Sequence, residues 1–178
     1  LLGIVPVNSG EYATAPVAEK EGYTFDHWQI LPLTDPEVDF DPLTDEVTEN
    51  LVVRAVYVGD THTVAAGLID NVAVLRAECT VSSGNVNSSD LLQTALNAET
   101  GKTVYFTVAA EYDWIVTDIA VVSAEGTNLV VEPTLREKET VDGLVYYTYS
   151  FTMPAEDVKI DVYTVEKIFP VYVEENIG

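Results

Sequence analysis

The chain has 178 residues, 47% of them hydrophobic, and its 30 acidic and 8 basic residues give a formal net charge of −22. This charge would repel a nucleic-acid phosphate backbone and disfavours an anionic membrane surface. Strong like charge mostly favours solubility, so we interpret the excess of carboxylates as a solvated acidic surface. The length is comfortable for two small domains.

Cysteine content and hydrophobic runs narrow the class of protein further. Cys79 is the single cysteine, so an internal disulfide is impossible. It lies in an apolar run and is predicted to be a small core residue rather than a nucleophile. No hydrophobic run approaches the length of a membrane span, so we expect no direct membrane insertion.

The first predicted domain covers residues 1–59. Residues 23–30 have strand character and carry three aromatic residues. Tyr23 and Phe25 share a face of this strand, and Trp28 falls on the opposite face unless a bulge intervenes. Residues 51–58 form a closing strand, and its nearly continuous apolar character predicts a central position in the sheet.

The loop between these strands carries the best candidate metal ligands. Asp35, Glu37, Asp39 and Asp41 alternate along it, so an extended backbone would project four carboxylates to one side. Carboxylate oxygens are ligands that calcium uses. However, Phe40 occupies the position where an EF-hand-type loop needs glycine, and prolines stiffen the segment. We therefore favour a solvated loop and predict no cofactor; these four residues are the ligands to test for calcium.

The second predicted domain covers residues 60–166 and contains the one clear helix signal. Asn87 or Ser88 can cap a helix, and Asp90 lies in its first turn. Gly101 ends it. The apolar stripe of this helix consists of Leu91, Leu92, Ala95 and Leu96.

Strand patterns fill the rest of the second domain. The Asp142-Gly143 pair is a strong hairpin signal. Alternation on both sides of Pro154 predicts two antiparallel strands that bury one face, with Thr148, Ser150, Thr152, Lys159 and Asp161 on the solvent-facing side. Residues 167–178 either add an edge strand or begin a further module. The predicted strands are residues 72–81, 103–110, 115–123, 128–132, 144–153, 158–165 and 168–173.

Catalytic motifs are not recognised in the sequence. General acid–base or nucleophilic chemistry needs a base oriented within reach of its partner. The histidines are His27, on the aromatic strand, and His62, at the domain boundary. Neither belongs to a known hydrolase, metalloprotease or phosphate-loop motif. We therefore expect no enzymatic activity.

The first domain resembles a known repeat family. Residues 22–28 read Gly-Tyr-Thr-Phe-Asp-His-Trp, residues 47–51 read Val-Thr-Glu-Asn-Leu, and residues 55–57 read Ala-Val-Tyr. Together they resemble the Listeria–Bacteroides repeat, also called the internalin B B-repeat, over most of residues 4–58. The resemblance implies a β-grasp-like fold.

The second domain resembles a divergent relative of these repeats that is common in surface proteins of gut bacteria. The matching stretches are Gly-Lys-Thr-Val at residues 101–104, Asp-Trp-Ile-Val at 113–116, and Phe-Thr-Met-Pro-Ala-Glu-Asp-Val at 151–158. The resemblance implies a secreted or cell-surface protein whose modules serve as stalks, adhesive units or accessories.

Two hypotheses of function follow from these patterns. The first is a non-catalytic extracellular module of a bacterial surface protein, acting as spacer and protein-interaction surface. The second is a dedicated module for binding a glycan or a matrix protein through an aromatic platform. Trp28, Trp114 and the tyrosines at residues 146–149 would form that platform, although packing in the core is the favoured role of both tryptophans. We expect a mainly β or α+β monomer with two tandem modules, the second mostly antiparallel with one short helix.

Overall fold

The computed structural model describes residues 3–15, 18–34, 36–79, 86–87, 90–126 and 128–172. The chain divides into two compact units, Leu1–Thr61 and His62–Gly178. Almost all regular structure in the described residues is strand, which confirms the prediction of a mainly β protein.

The first unit contains a two-stranded ribbon, β1–β4, and a three-stranded antiparallel sheet in the order β3-β2-β5. Trp28 of β2 lies opposite Phe40 on one side and Ala55 on the other. The strands are β1 (Glu11–Tyr12), β2 (Tyr23–Leu31), β3 (Asp39–Phe40), β4 (Glu46–Val47) and β5 (Val52–Gly59).

A β-bulge at Asp26 decides which aromatic residues share a face. The register of β2 against β5 shifts between Phe25 and His27, so one residue of β2 has no partner. The Phe25 and Trp28 ring centroids consequently lie 5.4 Å apart, and the Phe25 and Tyr57 centroids 6.1 Å. The sequence predicted opposite faces for Phe25 and Trp28 unless a bulge intervened. The bulge is present, and the two residues therefore lie on the same face.

The position of β5 differs from the prediction. Residues 51–58 were expected to form a well-buried central strand, but β5 ends the order β3-β2-β5. Val52 and Val58 are 61% and 47% exposed. Arg54 interrupts the apolar run, and charged side chains are typical of edge strands. No strand of the described residues pairs with the outer edge of β5.

The second unit consists of two five-stranded sheets, ordered β13-β14-β10-β7-β8 and β12-β11-β15-β6-β9. β6 pairs with β15 in parallel, whereas β7, β10 and β14 pair antiparallel with their neighbours, and so does β11. The strands are β6 (Thr61–Ala66), β7 (Val72–Cys79), β8 (Val86–Asn87), β9 (Leu96–Glu99), β10 (Thr103–Ala110), β11 (Trp114–Ser123), β12 (Leu129–Val131), β13 (Thr134–Val141), β14 (Leu144–Thr152) and β15 (Val158–Glu166).

The core of the second unit draws on both sheets. Alternate residues of β7, β10 and β14 from one sheet, and of β6, β11 and β15 from the other, belong to a single cluster of buried side chains. Phe106 stacks on Tyr149 and contacts Phe151 edge to face. The residues of this cluster with no measurable exposure are Val64, Leu75, Val104, Val108, Val121, Val158 and Ile160.

The predicted helix is wrong. Among the described residues of this segment, only Asp90–Leu92 forms a helical turn, of the 3₁₀ type. Leu91 and Leu92 have positive φ values of 62° and 45°, which a right-handed α-helix does not accommodate. Leu96 begins strand β9 instead, and Leu96 and Ala98 are buried two residues apart. Three residues of the predicted helical stripe, Leu91, Leu92 and Leu96, therefore reach the core from a turn and a strand, whereas the fourth, Ala95, is exposed. The proposed cap Ser88 lies outside the described residues.

The sequence predicted that the strands on either side of Pro154 pair with each other, and this prediction is wrong. β14 pairs with β10 and β13, whereas β15 pairs with β11 and β6. Pro154 has no N–H group, and Met153 completes its hydrogen bonds with Lys102 and Gly101 on the β10 side. Residues 154–157 therefore carry the chain from one sheet to the other, and the two apolar faces meet across the core.

The assignment of polar faces needs a second correction. Ser150 and Asp161 were predicted to face solvent, but they are only 2% and 5% exposed. The Arg136 guanidinium donates to Ser150 Oγ over 2.6 Å, and Leu68 N–H donates to the Asp161 carboxylate over 2.8 Å. Hydrogen bonds to neighbouring segments thus cover both polar groups.

The other predicted strands correspond to β7, β10, β11, β12, β14 and β15, with ends that differ by at most two residues. Thr80 and Val81, the predicted end of β7, lie outside the described residues. Residues 167–172 form no strand, so the predicted segment 168–173 is wrong in its described part.

Candidate interaction surfaces

One face of the β3-β2-β5 sheet carries a row of hydrogen-bonded polar side chains. Gln29, only 2% exposed, lies at its centre. Its Nε2 donates to Glu37 Oε2 over 2.6 Å, and its Oε1 accepts from Arg54 Nε and Nη2 over 2.9 and 2.5 Å. Both ends of the buried carboxamide are satisfied, so this network ties β2 to β5 and to the loop before β3.

His27 lies on the same strand as Gln29 and faces two carboxylates. Its Nδ1 is 2.9 Å from Asp26 Oδ2, and its Nε2 is 3.2 Å from Asp39 Oδ1. The ring is about one-third exposed at 34%, and both aspartates are more exposed than the ring. This arrangement connects the bulge in β2 to β3.

The four calcium candidates do not converge in the described residues. Asp35 lies outside them. Asp41 Oδ1 accepts from Leu43 N–H over 2.9 Å and closes a local turn, whereas Glu37 and Asp39 contact Gln29 and His27 respectively. Over the ranges that the structure describes, no three His, Cys, Asp or Glu side chains are placed to hold a metal ion.

His62 is located where β6 approaches the start of β15. Its Nδ1 lies 3.8 Å from Asp157 Oδ1, which accepts the Thr63 N–H over 2.7 Å. The Thr63 backbone hydrogen bond, with a smaller contribution from His62, lowers the pKa of the Asp157 carboxyl. His62 Nε2 is buried without a hydrogen-bond partner in the described part of the chain. The hydrogen bond between Thr63 and Asp157 thus ties the start of β6 to the turn before β15.

Cys79 lies at the end of β7 and is only 6% exposed. Burial raises the pKa of its thiol, and the nearby Glu99 carboxylate raises it further, while Lys102 partly opposes both. The thiol form is therefore favoured, and thiols are weak nucleophiles. This environment agrees with the core role predicted for Cys79.

An apolar groove lies over the aromatic face of the sheet in the first unit. Trp28, Phe40 and Tyr57 contribute to its wall, together with the N-terminal residues 3–7. Its cavity volume of about 1180 Å³ exceeds the roughly 300–1,000 Å³ of ordinary small-molecule sites. A groove of this size can accept a polypeptide segment. Glu49 and Arg54 are the charged residues that line it.

The two tryptophans have different environments. Trp28 is 7% exposed, as predicted for a packing residue. Trp114 is only partly buried and lines a shallow groove with Val116, Leu144 and Tyr147 at one end of the second unit. Trp114 is therefore less completely enclosed than Trp28.

The tyrosines of β14 do not form a single platform. Tyr147 and Tyr149 pack against the core cluster. Burial raises the pKa of the Tyr149 hydroxyl, and Tyr147 and Asp118 add to the effect. Tyr146, opposite Ala109, lies on the other face of the sheet because side chains alternate along a strand.

In comparisons with known proteins, no family model matches the chain, and no curated protein or solved structure shows significant similarity to it. Within the described residues, no helix combines the length and the apolar character needed to cross a membrane.

Sequence reasoning missed the apolar groove and the open edge of β5. Arg54, in the middle of the apolar run 51–58, is the signal that could have identified the edge strand. The groove had no comparable signal, because residues 3–7 reach it from a segment without regular structure.

Proposed function

We propose that the chain is a non-catalytic, extracellular module of a bacterial cell-surface protein that acts as spacer and protein-interaction surface. The observation that supports this proposal is that the repeat-like motif forms part of a strand and packs its tryptophan. Residues 22–28 enter strand β2, and Trp28 is buried against Phe25 as a packing residue. Motif residues used in this way are expected of a structural repeat.

The two-unit organisation supports the same proposal. Each unit has its own strands and sheets, as separate structural modules do. We propose that the first unit is a β-grasp-like repeat of the internalin B type and that the second is its divergent relative. A succession of such units would extend an adhesin from the cell wall, and the acidic surface would keep it soluble.

Localisation provides the decisive experiment. Antibodies raised against the 178-residue chain should label intact cells of the source bacterium, and mild protease treatment of those cells should remove the label. An antibody against a cytoplasmic protein serves as the control for cell integrity. Labelling that requires permeabilised cells would contradict the proposal.

A second candidate function is binding of a host glycan or matrix protein, and the partly exposed Trp114 favours it. Its indole lines a groove with Tyr147, and aromatic faces of this kind stack on sugar rings or on partner side chains. Probing glycan and matrix-protein arrays with the full chain and with Trp114→Ala tests the candidate. Binding that the substitution abolishes would support it, and no binding to either array would contradict it.

A further inference from the structure

A four-residue motif occurs near both ends of the chain. Residues 4–7 read Ile-Val-Pro-Val, and residues 168–171 read Ile-Phe-Pro-Val. Three of the four positions are identical, and the fourth is apolar in both copies. Proline at the third position restricts each segment to extended conformations. The two segments therefore have the same shape preference and the same apolar chemistry.

Both copies are held weakly. In residues 4–7 and 168–171, no backbone group forms a hydrogen bond with another described residue. Ile4 is 85% exposed, and Ile168 and Val171 are 91% and 86% exposed. Contiguous exposed apolar residues are unusual on a soluble monomer and mark surfaces that bind a partner. The N-terminal copy differs from the C-terminal copy in one respect, because it already lines the groove of the first unit.

The exposure of the side chains in residues 4–7 indicates which of them enter the groove. Val5 is 42% exposed and Val7 is only partly exposed, whereas Ile4 points largely into solvent. Residues 3–7 all line the groove, and Val5 and Val7 are less exposed than Ile4, so we assign these two side chains to the groove. The equivalent residues of the C-terminal copy are Phe169 and Val171.

The outer edge of β5, which borders the groove, is open to the addition of a further strand. β5 pairs with β2 along one edge, and no described strand occupies its other edge. Val53, Ala55 and Tyr57 of β5 line the groove, so an extended segment beside β5 would meet free backbone groups and apolar side chains together. Peptides recognised in this way gain affinity from backbone hydrogen bonds and selectivity from alternate side chains.

We propose that residues 168–171 of one molecule occupy the first-unit groove of a second copy of this chain, in place of residues 4–7. The occupant is identified by its match to the segment that lines the groove. Because donor and receiver surfaces differ, the contact is heterologous and propagates head to tail. Each copy carries a charge of −22, so repulsion keeps the association weak and salt strengthens it. The monomer expected from the sequence is then the species in dilute solution.

Sedimentation velocity of the full chain, at increasing protein concentration and at low and high salt, measures the association. We expect the weight-average sedimentation coefficient to rise with concentration and to rise further at high salt. Phe169→Asp with Val171→Asp should weaken association by more than about tenfold, because it removes two apolar anchors. Leu129→Asp with Leu135→Asp is the matched control, since these residues are 55% and 50% exposed on other strands of the same unit. The control should associate like the unchanged chain at equal salt.

A variant of the N-terminal segment in the groove should change association in the opposite direction. Val5→Asp with Val7→Asp weakens the hold of the resident segment and vacates the groove, so this variant should associate more strongly than the unchanged chain. Combining it with Phe169→Asp and Val171→Asp should restore a monomer. Circular dichroism checks that each variant remains folded.

Three results would overturn the proposal. One is a chain that stays monomeric at every concentration and salt, and another is a control that loses association as fully as the Phe169 variant. The third is weaker association on substitution of Val5 and Val7, which would indicate general adhesion between apolar segments instead of exchange at the groove.

Discussion

The two units differ in how the apolar faces of their β-sheets are covered. In the second unit, one sheet covers the apolar face of the other, and seven large residues have no measurable exposure. In the described part of the first unit, the buried side chains are Trp28, Phe40 and Gln29, and a wide groove remains above the aromatic face. The second unit therefore has the more extensive packed core, and the first unit keeps an apolar groove open. The second holds its shape by packing, while the first retains an apolar surface that a partner can cover.

Removing a fully buried aromatic side chain from the second unit should have the largest effect on stability. Phe106→Ala leaves a cavity among Tyr149, Phe151 and the central valines, and such substitutions cost about 3–5 kcal/mol. Urea unfolding followed by circular dichroism measures the loss. Leu135→Ala, at a 50% exposed position on β13, is the control and should cost less than about 0.5 kcal/mol. Equal losses for the two variants would contradict the packed-sandwich description.

Trp28→Ala is the corresponding test of the first unit. The indole contacts Phe25 and is buried, so its removal should cost about 3 kcal/mol, the lower end of the usual range, because one side of its cluster borders a groove. Proton NMR should show loss of dispersed signals from residues of the first unit alone. Val58→Ala, at an exposed position of β5, is the control. Loss of signals from both units would show that their stabilities are linked.

Gly67→Ala should have an intermediate effect, because Asp161 occupies the space that a side chain would need. A Cβ atom at Gly67 would lie 1.9 Å from Asp161 Oδ1, so the carboxylate would have to leave its hydrogen bond with Leu68 N–H. Overpacking of this kind costs roughly 1–3 kcal/mol. The double variant with Asp161→Ala should be less destabilised than the two single losses predict together. Simple additivity would show that the two sites do not interact.

Regular alternation explains which parts of this fold the sequence predicted. Apolar and polar side chains alternate in the sequences of β10, β11, β14 and β15 over part of their length, and these patterns indicate strands directly. β13 is exposed at every position, so no apolar period marks it. The false helix arose because Leu91, Leu92 and Leu96 have helical spacing, although positive φ values redirect the chain to a strand.

The candidate surfaces were less predictable than the strands. Trp28 could be assigned to packing because its motif resembles a structural repeat, but the same reasoning missed the partial exposure of Trp114. The alternating carboxylates suggested one ligand set, whereas Glu37, Asp39 and Asp41 contact different groups. Local spacing does not determine such contacts, because partners such as Gln29 approach from another strand.

The polar face of the first unit should contribute less stability than its aromatic face. Gln29→Leu keeps similar volume but removes hydrogen bonds to Glu37 and Arg54, both of which are exposed and can bind water instead. We therefore expect a loss of about 1 kcal/mol. Thermal unfolding of Gln29→Leu, Arg54→Met and the double variant measures the coupling of Gln29 to Arg54. A loss as large as that of Trp28→Ala would show that the polar network is as important as the aromatic cluster.

The smallest expected effect is a pH dependence confined to the second unit. The pKa of Asp157 is lowered in the folded state, chiefly by the Thr63 N–H, so its contribution is present above the ordinary aspartate pKa of about 3.8 and declines as the pH falls through the lower, folded value. The carboxylate is 53% exposed, so solvent screening keeps the contribution small. Asp157→Asn should reduce the stability difference between neutral and acidic pH, and Glu156→Gln, next to it in the same turn, is the control. Equal acid sensitivity of the Asp157 variant and the unchanged chain would show that the Thr63 contact contributes nothing to holding β6 in the sandwich.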